Sequence, residues 1–258
     1  MELGDYFSNV FGKIFNKDLY WPTLVLNLIV GVIFGIFALI FSAIMLAGIT
    51  TSLTSASITS LMTGDGLGKL LRLSTGLIIG LIVFGLITLY LSSVIAVFVV
   101  NRINAIDAKK KIEFFEGLGS CFNTGFKLFI ALLIYYIAIG IILFILSLIA
   151  LIPFIGIVIA IILGIALTLY VIVGCLSMIG KIALGAGIVQ GLGIAFTQAF
   201  KKPILLVYGL VLGFVCAIMG LVSGLISMIP VVGWIAMIFI LPIISAYMFC
   251  IAYYFAKE

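Results

Sequence analysis

The 258 residues are 66% hydrophobic and only 8% charged, with a net charge of +5 and a mean hydropathy of +1.53. A soluble domain carries about a quarter charged residues, and no single core in a chain of this size hides so much apolar surface from water. A water-soluble fold is therefore excluded, and lipid is the solvent for much of the chain.

In chain order, Leu3, Phe7, Phe11 and Phe15 recur at four-residue spacing beside Lys13 and Lys17, which predicts a short amphipathic helix. A charge-free run from Leu19 to Gly64 follows. Since a crossing takes about 20 apolar residues, the run holds one span, placed at 21–47. The rest, from Gly48 to Ser74, carries a Ser/Thr-rich stretch and Gly64-Asp65-Gly66. Its part at 49–63 reads equally as an exterior loop, a helix extension or a re-entrant segment. The next charge-free run, Leu73–Asn101, is one span long, at 73–100.

A second amphipathic lead follows, with Ile112, Phe115, Leu118, Phe122 and Phe126 on one face and Lys127 at its end. The run Leu128–Gly180 holds two spans, 128–151 and 155–180, separated by Ile152-Pro153-Phe154-Ile155-Gly156. Proline disfavours helix at the residue before it, and glycine accepts turn dihedrals. The third lead is Ile188, Leu192, Phe196 and Phe200, followed by Lys201. Its run, Pro203–Ala256, gives spans 204–228 and 232–256 about the turn Ile229-Pro230-Val231-Val232-Gly233. The expected fold is an all-α polytopic transmembrane bundle: one membrane domain, 1–258, of six spans in three hairpins, each preceded by a short amphipathic interfacial helix.

The second and third units repeat in sequence. Glu116-Gly117-Leu118-Gly119-Ser120-Cys121-Phe122 corresponds to Gln190-Gly191-Leu192-Gly193-Ile194-Ala195-Phe196, each continuing to a Phe (Phe126, Phe200) and a Lys (Lys127, Lys201). The pseudo-repeats are read as 1–101, 111–180 and 185–256.

Lys13, Lys17, Arg102, Lys109, Lys110, Lys111, Lys127, Lys181, Lys201, Lys202 and Lys257 fall at one set of span ends; Lys69 and Arg72 fall at the other. The positive-inside bias then puts both termini in the cytoplasm. Trp21 and Trp234 fit the aromatic belts at the two interfaces. The same bias accounts for the net positive charge without nucleic acid.

Candidate chemistry is sparse. There is no His, the commonest metal ligand and general base. Cys121, Cys175, Cys216 and Cys250 are scattered singly, as small buried hydrophobes are. The acids Glu2, Asp5, Asp18, Asp65, Asp107, Glu113, Glu116 and Glu258 all lie outside the expected spans. Glu113 and Glu116, one turn apart beside Lys109–Lys111, read as surface salt-bridging. Thr63 and Leu70 break the phosphate-loop pattern around Gly64–Lys69. No catalytic, cofactor-binding or metal residue is assigned, and no cofactor. Within spans, Gly31/Gly35, Gly76/Gly80, Gly209/Gly213 and Gly220/Gly224 show the small-xxx-small spacing that lets helices approach closely. Pro242 is expected to kink the last span.

The Phe-rich lead Ala195-Phe196-Thr197-Gln198-Ala199-Phe200-Lys201, the hairpin after it and the IPxxG turn resemble a group of prokaryotic, largely archaeal, polytopic membrane proteins of unknown function. The group is related to the membrane domain of some glycerophosphodiester phosphodiesterases. The resemblance implies the fold and a membrane address; no phosphodiesterase domain is present to carry catalytic residues. The expected function is a non-enzymatic accessory or membrane-organising protein of the cell membrane. Its expected partners are the lipid bilayer and a membrane protein or second copy. The alternative is a permease or channel for an uncharged or lipid-like solute.

Overall fold

The computed structural model describes residues 3–55, 64–110, 113–114, 116–152, 155–229 and 232–257. The turn prolines Pro153 and Pro230 and the lead residues Ile112 and Phe115 lie outside them. The described residues form eight helices: α1 (Leu3–Ile14), α2 (Lys17–Ser55), α3 (Gly64–Asp107), α4 (Leu118–Ala150), α5 (Ile155–Ala183), α6 (Ile188–Lys201), α7 (Ile204–Ser227) and α8 (Val232–Lys257). Six of them contain a segment long and apolar enough to cross a membrane, namely Lys17–Ala43, Ile78–Asp107, Leu118–Ala150, Gly156–Ala183, Ile204–Ile226 and Ile235–Lys257. The protein is all-helical and multi-pass.

The segment read three ways in sequence is helical on both flanks. α2 continues through Ser55 and α3 begins at Gly64, which leaves only 56–63 outside the described residues. At ~1.5 Å per residue, the 39 residues of α2 and 44 of α3 are each about twice as long as a ~30 Å hydrocarbon core. The second Phe-rich lead is likewise not a separate helix where it is described. Leu118, Phe122 and Phe126 form the first turns of α4, which runs unbroken to Ala150. α8 remains helical through Pro242.

The chain forms two compact units. One, Leu28–Ser92, comprises most of α2 and the first part of α3. In it the rings of Phe34 and Phe84 meet edge to face at 5.6 Å, and Phe41 lies against Gly80. The other unit, Met1–Asn27 with Ser93–Glu258, holds the main core. α5 is its hub, packed against α4, α6, α7 and α8.

That packing is uneven along the helices. The buried side chains cluster at one end: Val94 to Val100 on α3, Leu128 to Tyr135 on α4, Val173 to Ile182 on α5, and Tyr247 to Phe255 on α8. Toward the opposite hairpin turns, large apolar side chains such as Phe144, Leu151, Ile162, Phe214 and Leu221 are exposed.

Glycine makes the tight end possible. A Cβ on Gly180 would sit 2.0 Å from the Ala252 carbonyl oxygen and 2.6 Å from the Ala256 Cβ, so α5 and α8 touch backbone to backbone there. A Cβ on Gly174 would meet the Ala195 carbonyl at 2.4 Å and the Tyr135 hydroxyl at 2.6 Å. Of the spaced pairs read from sequence, Gly209 approaches Val173 and Gly80 approaches Phe41. Gly31, Gly35, Gly213, Gly220 and Gly224 have no atom within 4 Å of an added Cβ. Close approach follows the partner helix rather than the spacing.

The ends of α3 and α5 close alike. Lys110 N–H donates to the Ala105 carbonyl across Lys109, and Ala186 N–H donates to the Lys181 carbonyl across Gly185. These are the long bonds of a Schellman cap, which puts the residue between them in the left-handed region. Gly185 adopts φ 103° as glycine can, whereas Lys109 does so at φ 52° with a side chain.

Candidate functional site

One cluster of charged side chains of the main unit lies where α1 meets the ends of α3 and α8. Lys13, in the last turn of α1, bonds through its Nζ to the Asp107 carboxylate at the last turn of α3 and to the Tyr254 hydroxyl at 2.5 Å. Tyr253 donates from its hydroxyl to the other Asp107 oxygen at 2.7 Å, and Lys257 reaches that oxygen at 3.4 Å. Both lysines also lie over tyrosine rings, Lys13 at 4.7 Å from the Tyr254 centroid and Lys257 at 4.5 Å from that of Tyr253. These are favourable cation–π placements. Burial pulls the Lys13 pKa down, but the bonds to Asp107 and Tyr254 more than offset it, and the ammonium is held above its ordinary value.

Arg102, about one and a half turns before Asp107 on α3, makes a second tie. Its side chain is buried. One guanidinium nitrogen donates to the Asp18 carbonyl at 2.9 Å; the other donates to the carbonyls of Glu113, at 2.6 Å, and Phe114. The guanidinium also lies 5.0 Å from the Phe98 ring. A planar fork of donors can serve three backbone acceptors at once, which an ammonium cannot do in the same geometry. The Glu116 carboxylate accepts the Glu113 backbone N–H at 3.1 Å through its Oε2. A crevice of about 210 Å³ beside Arg102 is lined by Asn101, Lys110, Glu116 and Cys121 among others. In it, Cys121 faces the Asn101 amide at 3.8 Å, an uncharged neighbour and not a base.

Two further cavities flank α6. On one side an apolar groove of about 580 Å³ runs between α4 and α5, from Ile149 and Leu163 to Tyr170, Phe196, Phe200 and Leu206. Its floor is fixed by Tyr170, which donates to the Phe196 carbonyl and packs on the Phe200 ring at 5.2 Å. On the other side a cavity of about 550 Å³ is lined by Lys181, Gln190, Gly193, Thr197 and Lys201. α6 lies between them because its packing face is made of small residues. Gly191, Ala195 and Ala199 are buried, while Val189 and Phe200 are 83% and 78% exposed.

Several polar residues of the spans have local partners, although the buried Ser177 hydroxyl has none among the described residues. Thr23, Asn27, Thr88, Ser147, Thr168 and Ser223 each donate to a carbonyl three or four residues back on their own helix, as hydroxyls in helices do. Among the described residues, no group of three or more His, Cys, Asp or Glu could hold a metal ion. Sequence reading placed Lys13, Arg102 and Asp107 only as charges flanking spans; their convergence joins residues as far as 94 positions apart. No family model, curated protein or solved structure matches the chain, so the resemblance drawn from the Ala195–Lys201 lead, the hairpin after it and the IPxxG turn rests on those residues alone.

Proposed function

We propose that the protein is a non-enzymatic, membrane-organising accessory of the cell membrane, working through lateral contacts with lipid and with other membrane proteins. The observation that carries this reading is the uneven packing of the main unit. One end is closed by buried aromatics and charged ties, and the other leaves the apolar sides of its hairpins uncovered. Without a hydrophobic drive between helices in lipid, such faces associate by packing against acyl chains or neighbouring spans.

The positive-inside bias supports a cytoplasmic location for the closed end and both termini. On that orientation α1 and α6 are amphipathic helices on the cytoplasmic side, with Phe15 and Phe200 outward at headgroup depth. A conduit for polar solutes is disfavoured by the back-bonded span hydroxyls. The groove beside α6 favours a lipid-like substrate if the protein is instead a permease.

Native mass spectrometry after gentle solubilisation tests the reading. A stoichiometric membrane-protein partner, or a defined set of retained lipids, is expected. A bare chain with neither, together with solute flux in proteoliposomes, would refute it. Topology has its own test: single cysteines placed at Asp65 and Lys110 in a cysteine-free background should label from opposite sides, and same-side labelling rules out the orientation.

A further inference from the structure

We propose that the two cavities flanking α6 form one binding site for an anionic phospholipid, with an acyl chain in the apolar groove and the headgroup phosphate at Lys181 and Lys201. The inference deepens the reading above and rests on its lateral surface.

The groove comes first. From Ile142 to Ile149 on α4 and from Leu163 to Tyr170 on α5 its walls rise through seven residues, or about 10 Å of helix. Its volume of about 580 Å³ lies within the roughly 300–1,000 Å³ of small-molecule sites. The walls are aliphatic and the floor is aromatic. The Tyr170 hydroxyl proton is taken by the Phe196 carbonyl and is not available to donate to a ligand. A cavity of this lining selects a hydrocarbon chain.

Charge then selects the headgroup. Phe196 and Phe200 point to the groove, and the residues following each in sequence, Thr197 and Lys201, line the polar cavity on the other flank of the same helix. Lys181 from the end of α5 and Gln190 complete its polar lining. No carboxylate lines either cavity. Between Gly117 and Lys257 the sequence has five lysines, Lys127, Lys181, Lys201, Lys202 and Lys257, and no acidic residue at all. Two lysines in a cavity whose lining holds no carboxylate call for an external anion, and a phosphodiester beside an acyl chain supplies one. Basic pockets beside spans bind lipid headgroups in this way. A zwitterionic lipid would bring its own cation to the same lysines and bind less well.

The test uses the full chain in micelles doped with equal phosphatidylglycerol and phosphatidylcholine, read by native mass spectrometry. Retained phosphatidylglycerol should exceed phosphatidylcholine severalfold. The double variant Lys181→Gln/Lys201→Gln should lose that preference, and Lys181→Arg/Lys201→Arg should keep it. Ala166→Trp, which fills the groove wall, should reduce both lipids together. Equal retention of the two lipids by the wild-type protein, or an unchanged preference in the double Gln variant, would overturn the site while leaving the accessory reading intact. A protein partner that occupies the groove and displaces lipid would do the same. Retention of neither lipid nor partner would overturn both.

Discussion

The α5–α8 contact is the most demanding packing in the main unit, and adding one methyl group tests it. In Gly180→Ala the new Cβ would lie 2.0 Å from a backbone oxygen of Ala252, where ordinary contact begins at 3.4 Å. The helices must therefore separate by about 1.4 Å, the difference of these two distances. No flexible side chain can absorb it, because the obstacles are a helix carbonyl and the Ala256 methyl. Overpacking of this kind costs about 1–3 kcal/mol, and a backbone obstacle belongs at the upper end. Against it stands the helix-propensity gain of alanine over glycine, about 1 kcal/mol. The net loss is about 2 kcal/mol, which lowers Tm by roughly 4–8 °C for a chain of this size. Thermal unfolding in detergent reads it directly. Gly220→Ala, with no atom near its added methyl, is the internal control and should be neutral or slightly stabilising. Equal melting of Gly180→Ala and the wild-type protein would refute the backbone contact. So would an equal fall in Gly220→Ala, since the effect would then not belong to this interface.

The other predictions concern the charged end. Arg102→Lys should cost about 2–3 kcal/mol, because an ammonium leaves part of the carbonyl set of Asp18, Glu113 and Phe114 unserved. Faster tryptic cleavage at Lys109–Lys110 should report it, and an unchanged rate counts against the clamp. Asp107→Asn should destabilise the protein by about 1–2 kcal/mol, whereas Lys257→Ala, at a half-exposed side chain, should change little; chemical unfolding separates the two. The raised Lys13 pKa sets a sign for pH: its contribution is fully present below the unfolded value of 10.5 and is lost as pH rises through the higher folded value. Lys13→Met should therefore flatten the fall in stability above about pH 10.5, and a slope equal to that of the wild type would refute the linkage. Lys109→Gly should raise stability by about 0.5–1 kcal/mol by relieving a left-handed residue that carries a Cβ; a lower Tm would contradict the cap assignment.

The spans were legible because lipid imposes a single requirement, about 20 apolar residues in helix, which Leu73–Asn101 or Pro203–Ala256 meet on inspection. The extension of α2 to Ser55 and α3 back to Gly64 was not legible, because Ser, Thr and Gly there satisfy a loop, a turn or a frayed helix equally well. The glycine contacts were hidden for a different reason. Spacing such as Gly220/Gly224 describes one helix, and Gly180 matters only because Ala252 and Ala256 come to meet it. Lys13, Arg102 and Asp107 were visible as charges, but a topology rule explains a charge at a span end without naming its partner. The cavities beside α6 were half visible: the Phe stripe was read, while the small-residue stripe that sets the helix between them was not.

The closed and open ends of the main unit also differ in what they ask of their residues. Near Ala252 and Gly180, size and shape are fixed to within a methyl group by the contact of α5 with α8. Near Phe144, Ile162 and Leu221, a side chain has only to dissolve in hydrocarbon. Interchange of Leu, Ile, Val and Phe should be nearly free at the hairpin tips and costly at the tied end. Random mutagenesis would therefore map this protein as a gradient of tolerance along the membrane normal.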